Sequence, residues 1–159
     1  MSVHRWRNLV AAGTATLLVV GAAHAADPYL GNWKIVSARL APWADKARRP
    51  DTSDRKELLG KTVTLTARGI VGPPILVCKD PHYKLSDFTA DKLFQGAFGE
   101  MRQKDEAVDP AKVAASLGFQ GESWKVLETG CANEIDWHFV DDATVVIGFN
   151  DNVYVLKKQ

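Results

Sequence analysis

Alternation with a period of two residues is the feature that most limits what this chain can fold into. In Lys61–Ala67, Val63 and Leu65 fall on one side and Thr62, Thr64 and Thr66 on the other. In Glu134–Val140, Ile135, Trp137 and Phe139 alternate with Asp136 and His138. Ala143–Phe149 repeats the pattern with Val145, Ile147 and Phe149, and Val153–Lys157 follows after Asn150-Asp151. Successive side chains of a strand point to opposite faces, so this pattern describes strands with one buried face. The polar pairs Asp141-Asp142 and Asn150-Asp151 are short enough to be hairpin turns, which makes the C-terminal part an antiparallel meander.

Asn32–Leu40 and Ser123–Thr129 extend the set of expected strands, with Ile75–Cys78 as a short apolar strand and Tyr83–Phe88 as an extended segment. One helix is expected at 109–117, where Asp109 can cap, Pro110 suits the first turn, and Val113, Ala114 and Leu117 form a stripe before Gly118. Ala90–Gly99 reads equally as a helical turn or an apolar loop. Ala44–Lys56, dense in charge around Pro50, reads as a solvated loop. The expectation is a mainly β (β-rich α+β) domain of about seven or eight short strands. These would form an antiparallel meander closing into a small barrel or a strongly curved sheet, since closure removes edges that would pair with other chains.

The N-terminus reads as an export signal over residues 1–25. Arg5 and Arg7 precede an apolar stretch from Leu9 to Ala23, and Ala23-His24-Ala25 has the small-x-small form of a cleavage site. The alternative is a membrane anchor. The stretch falls short of the ~20 apolar residues a span needs, and Gly13, Thr14, Thr16 and Gly21 interrupt it. Residues 26–159 are then a single exported domain, periplasmic in a bacterial source. Cys78 and Cys131 are the two cysteines, and export favours a disulfide between them. Closing that loop is worth about 4 kcal/mol in the chain-entropy description. The chain has 20 basic and 19 acidic residues. Without Arg5 and Arg7 the balance is near neutral, which leaves no electrostatic footprint for nucleic acid.

Tyr29-Leu30-Gly31-Asn32-Trp33 resembles the Gly-x-Trp opening of lipocalin-like (calycin) barrels. The resemblance implies a barrel whose end is closed by Trp33, with a basic side chain of the last strand lying over the ring. Lys157 or Lys158 stands where that family usually has arginine. The helix departs from the family's order, because it precedes the final strands.

Common catalytic signatures are missing. Gly121-Glu122-Ser123-Trp124 lacks the second glycine of a nucleophile elbow, and there is no zinc-protease, phosphate-loop or dinucleotide motif. No catalytic residue, cofactor or metal is therefore expected, although three sets of side chains leave alternatives open. Asp136 and His138 could serve as base and orienter or as metal ligands, or could be the wet face of a strand. His82 and Tyr83 could reach a haem iron, though neighbours on a strand point apart. Glu122, Glu128, Glu134 and Asp136 could supply a glycosidase pair or be solvated.

The aromatic surplus is more suggestive. Trp33, Trp43, Phe94, Trp124 and Trp137 are the candidates for lining a pocket that takes a small apolar or amphipathic molecule. The other reading is an interaction module, such as an envelope enzyme inhibitor or assembly factor, that grips an envelope protein through loops 44–56 and 90–101.

Overall fold

The computed structural model describes residues 27–159. The cleavage site and the apolar leader lie outside these residues. Nine strands form one sheet: β1 (Gly31–Leu40), β2 (Thr62–Thr66), β3 (Gly69–Val71), β4 (Cys78–Lys79), β5 (Lys84–Thr89), β6 (Ser123–Glu128), β7 (Trp137–Asp141), β8 (Thr144–Phe149) and β9 (Asn152–Lys158). Three α-helices accompany them: α1 (Arg55–Leu58), α2 (Leu93–Lys104) and α3 (Pro110–Ser116). The spatial order is β4-β3-β2-β1-β9-β8-β7-β6-β5, and every pairing is antiparallel. The sheet curls into a half-barrel. A mainly β, strongly curved meander is thus what the alternation specified, with nine strands and three helices in place of seven or eight and one.

The inner face is dry. Trp33, Ile35, Val63, Leu65, Leu127, Trp137, Val145, Ile147, Tyr154 and Leu156 meet in one cluster inside the curl. Burying each such side chain contributes roughly 1.5–3 kcal/mol relative to exposure. A bulge between Ile35 and Ser37 of β1 keeps the pairing with β9 while the strand bends.

The outer face is covered on one side only. Trp124, Val126, Val146 and Val153 point outward from β6, β8 and β9 and pack under Leu93, Phe94, Phe98, Ala114, Leu117 and Phe119. The central strands are therefore buried on both faces, which is why β8 reads as a nearly continuous apolar run.

Local chemistry explains where the observed elements depart from expectation. Ile75–Cys78 is not a strand. Pro74 opens a 3-10 turn over Pro74–Leu76, and pairing resumes only in the two-residue β4. Pro74 suits the first position of that turn, and the Leu76 and Val77 amides donate within it to Pro73 O and Pro74 O, so they are not free for a ladder. Ala90–Gly99 resolves into a 3-10 turn (Ala90–Lys92) and the start of α2. The helix at 109–117 is found as α3, with Asp109 Oδ1 accepting from the amides of Ala111 and Lys112. Gly118 follows it at φ +98°, a conformation that a side chain would strain.

The charged arm 44–56 is only partly solvated, contrary to expectation. Ala44 and Asp54 are buried. Tyr154 Oη donates to Asp54 Oδ2 at 2.7 Å, and Asn152 Nδ2 donates to Asp54 Oδ1 at 3.2 Å. Burial, and then the Asp54 carboxylate, push the Tyr154 hydroxyl well above its ordinary range. This polar knot on β9 ties the arm to the sheet.

The two ends of the sheet, β4 and β5, do not pair with each other. Cys78 of β4 is bonded to Cys131, which lies beyond β6 on the opposite side of the opening. Tyr83 Oη donates across the opening to Thr66 O at 3.1 Å, while the His82 amide, donating to Thr129 O at 2.8 Å, prolongs the β5–β6 ladder. The seam is thus held by a covalent bond and side chains where strand pairing is missing. No helix among the described residues is long and apolar enough to cross a membrane.

Candidate functional site

The five candidate aromatics do not converge. Trp33 and Trp137 lie edge to face inside the curl, with ring centres 6.3 Å apart. Both are core residues, at most 1% exposed. Trp43, Phe94 and Trp124 belong to the outer face. Trp43 stacks on Phe94 at 4.9 Å, Phe94 meets Phe119 at 6.1 Å, and Phe119 meets Trp124 at 5.5 Å. Half-buried Trp43 closes this row as a lid. It reaches Gly148, where an added Cβ would come within 3.1 Å of its ring and 3.2 Å of Phe94.

Trp33 is fully buried in the inner core. Its indole N–H donates to Tyr29 O at 2.9 Å. Lys158 lies over the ring, its ammonium 5.4 Å from the centre, and donates to Pro28 O. Lys157 does not share this role and turns its ammonium to Thr144 Oγ1. Between Tyr29, Leu85 and Phe139 a cavity of about 70 Å³ remains at the mouth, edged by Lys125 and Asp142. Pockets for drug-sized ligands run to roughly 300–1,000 Å³. The interior as folded therefore has room for a short aliphatic group.

His138 and Asp136 do not form a wet strand face, because α2 covers it. His138 is 1% exposed, and its Nδ1 has no hydrogen-bond partner among the described residues. Its ring lies 4.1 Å from that of Phe94. Burial pushes the imidazole down to about 3, so it is neutral. Asp136 is half-buried and moves the other way, up to about 6, chiefly by burial and then by repulsion from Glu128. The two share no hydrogen bond, and Asp136 instead accepts from Gln95 Nε2 at 3.4 Å. The same amide donates to Glu134 O at 2.6 Å.

The Gln95 contacts come from a strained turn. Phe94 (φ 53°), Gln95 (φ 53°) and Gly96 (φ 84°) are all left-handed, and regular helix begins only afterwards. The conformation costs a non-glycine residue roughly 1–2 kcal/mol. Seating Phe94 on His138 and Gln95 on the β7 approach offsets that cost.

His82 is exposed and Tyr83 is on the seam, with its hydroxyl pushed up to about 12 by burial and then by Tyr29. Glu128 pairs with Lys84 at 3.2 Å and accepts from Ser86 at 2.7 Å. Among the described residues no three His, Cys, Asp or Glu side chains are grouped as metal ligands.

A larger concavity lies elsewhere. A groove of about 510 Å³ runs between Leu40–Lys46 on one bank and α2 and α3 on the other. Leu40, Ala41, Pro42, Met101, Val108 and Val113 give it an apolar floor, and Lys46, Asp109 and Lys112 stand at its rim. Both non-β excursions of the chain thus contribute to one surface. Sequence reading singled out the arm and the 90–101 segment but missed α3 as the second bank. The sequence places Val113 with Ala114 and Leu117 in one buried stripe, but it is only half-buried and turns toward the groove while Ala114 and Leu117 go into the core. Comparison of the chain with family models, curated proteins and solved structures gives no match.

Proposed function

We propose that the chain is a periplasmic interaction module, exported and cleaved after Ala25. It holds an apolar segment of an envelope protein in the groove between the Leu40–Lys46 arm and helices α2 and α3. The groove carries the reading. Both banks are anchored in the outer core through Ala41, Ala44, Ala114 and Leu117, the floor is apolar, and the volume of about 510 Å³ exceeds that of the mouth cavity several-fold. Recognition by loops mounted on a packed framework is a common arrangement, and an apolar cleft with a polar rim suits a protein segment. The Cys78–Cys131 disulfide is consistent with an oxidising compartment. The rival reading, a small apolar molecule inside the curl, would have to enlarge a space of about 70 Å³.

The test places charge on the floor. Leu40 is 42% exposed and Val113 is half-buried, so Leu40→Glu with Val113→Glu should be accommodated by the fold. Wild-type protein on beads should retain one stoichiometric partner from envelope extract. The double variant should lose at least about tenfold of it at an unchanged melting temperature, as expected when a carboxylate is buried against an apolar partner. Equal capture by both proteins, or no stoichiometric partner with either, overturns the reading.

A further inference from the structure

Charge is distributed unevenly over the sheet. Strands β1, β2 and β9 carry Lys34, Arg39, Lys157 and Lys158 and no carboxylate at all. Strands β5, β6 and β7 instead mix Lys84 and Lys125 with Asp87, Glu128 and Asp141, and pair Lys84 with Glu128 and Lys125 with Asp87. The near-neutral total conceals this separation.

Lys34 and Lys157 also stand on a bare surface. Trp33, Ile35, Tyr154 and Leu156 point into the curl, so Lys34, Val36 and Lys157 point out. Helical cover on the outer face reaches Val153 and part of Val155 and goes no further along this side. Val36 is 47% exposed there. Lys34 is the direct cross-strand partner of Lys157. Like charges placed opposite each other in a ladder weaken it, so folding alone gives no reason for the pair. Among the described residues neither Lys34 nor Arg39 has a carboxylate within 4.0 Å. Lys157 is bonded to Thr144 Oγ1 and helps hold Asp141 ionised, which leaves Lys34 facing it unpaired. Beside them the surface is polar and flat. Thr64 Oγ1 donates to Asn32 at 2.8 Å, and Thr62 Oγ1 donates to Gln159 at 3.0 Å.

We propose that the outer face of β2, β1 and β9 docks an acidic protein segment, whose carboxylates meet Lys34, Arg39 and Lys157 while an apolar side chain covers Val36. Charge complementarity selects this occupant. A membrane-binding basic cluster needs about 4–8 cations close together, and with Lys158 held over Trp33 this strip has only Lys34, Arg39 and Lys157. A single-stranded nucleic acid needs aromatic platforms, and no aromatic side chain of β1, β2 or β9 faces outward here. The proposal centres on Lys34, Val36 and Lys157, toward the opposite end of β1 from Leu40, where the groove begins.

The test uses a labelled poly-L-glutamate peptide as probe and fluorescence anisotropy as readout. Wild-type protein should bind the probe, more weakly as salt is raised. Lys34→Glu should weaken binding about tenfold or more and at the same time raise the melting temperature, since it turns a like-charge pair into an opposite one. Lys34→Gln should weaken binding less and also stabilise. Lys104→Glu, the same charge change on α2, should leave binding unaltered. The proposal fails if Lys104→Glu matches Lys34→Glu, because net charge would then be the cause. It also fails if poly-L-glutamate does not bind, or if phosphatidylglycerol vesicles or single-stranded DNA bind more tightly than the peptide.

Discussion

His138 and Asp136 sit two residues apart and are driven in opposite directions by the same loss of water. His138 is neutral when folded and titrates near 3 against an ordinary 6.5. Below 6.5 the unfolded chain takes up the proton first, so this residue's contribution to stability is lost as pH falls from 6.5 toward 3. Each pH unit in that window costs about 1.4 kcal/mol. Asp136 titrates near 6 when folded against 3.8. The folded chain protonates first, so the penalty of its buried charge is relieved between pH 6 and 3.8. The two effects oppose each other over most of the acid range. Asp136→Asn should therefore steepen the loss of stability on acidification. His138→Leu, which also removes an unpartnered buried nitrogen, should give a protein that gains stability from pH 7 to pH 4. Urea midpoints at pH 7, 5 and 4 check this, and parallel profiles for all three proteins would refute it. The alternation in sequence put both residues on one face correctly. That α2 covers the face could not be read, because nothing local says what a strand's polar side packs against.

Among the elements, β4 depends most on help from outside the sheet. It has two residues, pairs only with β3, and borders the seam. Its anchor is the Cys78–Cys131 bond across a 53-residue separation. Cys78→Ser with Cys131→Ser should lower stability by about 2–4 kcal/mol. Amide exchange in β3 and β4 should quicken before exchange in β8 and β9, which are paired on both sides. Hydrogen–deuterium exchange resolves the order, and uniform quickening would mean that the bond acts only by restricting the unfolded chain. The pairing itself was legible from the cysteine count and the export signal. Its role as a seam closure was not, because that depends on which strands end the sheet. The reverse holds at Ile75–Cys78, where apolar character suggests a strand but Pro74 starts a turn that takes up the Leu76 and Val77 amides.

At the scale of the molecule, two cores share a common wall. Alternate residues of β8 and β9 feed the inner cluster (Val145, Ile147, Tyr154, Leu156) and the outer one (Val146, Val153). Neither core can lose its packing while the wall remains ordered for the other. Unfolding should be a single transition, with coincident curves from tryptophan fluorescence and backbone circular dichroism. Separate midpoints would show that the helical cover melts on its own. Trp33 and Trp137 report the inner core and Trp124 the outer, so fluorescence samples both.

The period-two runs, the turn pairs and the Asp109–Gly118 caps are local properties, and short-range sterics and hydrogen bonding act on them wherever the chain goes. That is why the strands, the meander and α3 could be read directly from the residues. The dispersal of Trp33, Trp43, Phe94, Trp124 and Trp137 over two faces could not be read, nor could the groove between distant segments or the Lys34–Lys157 opposition. Each depends on strand order and on which face the helices cover. Those are outcomes of packing between residues far apart in the chain, and no local pattern encodes them.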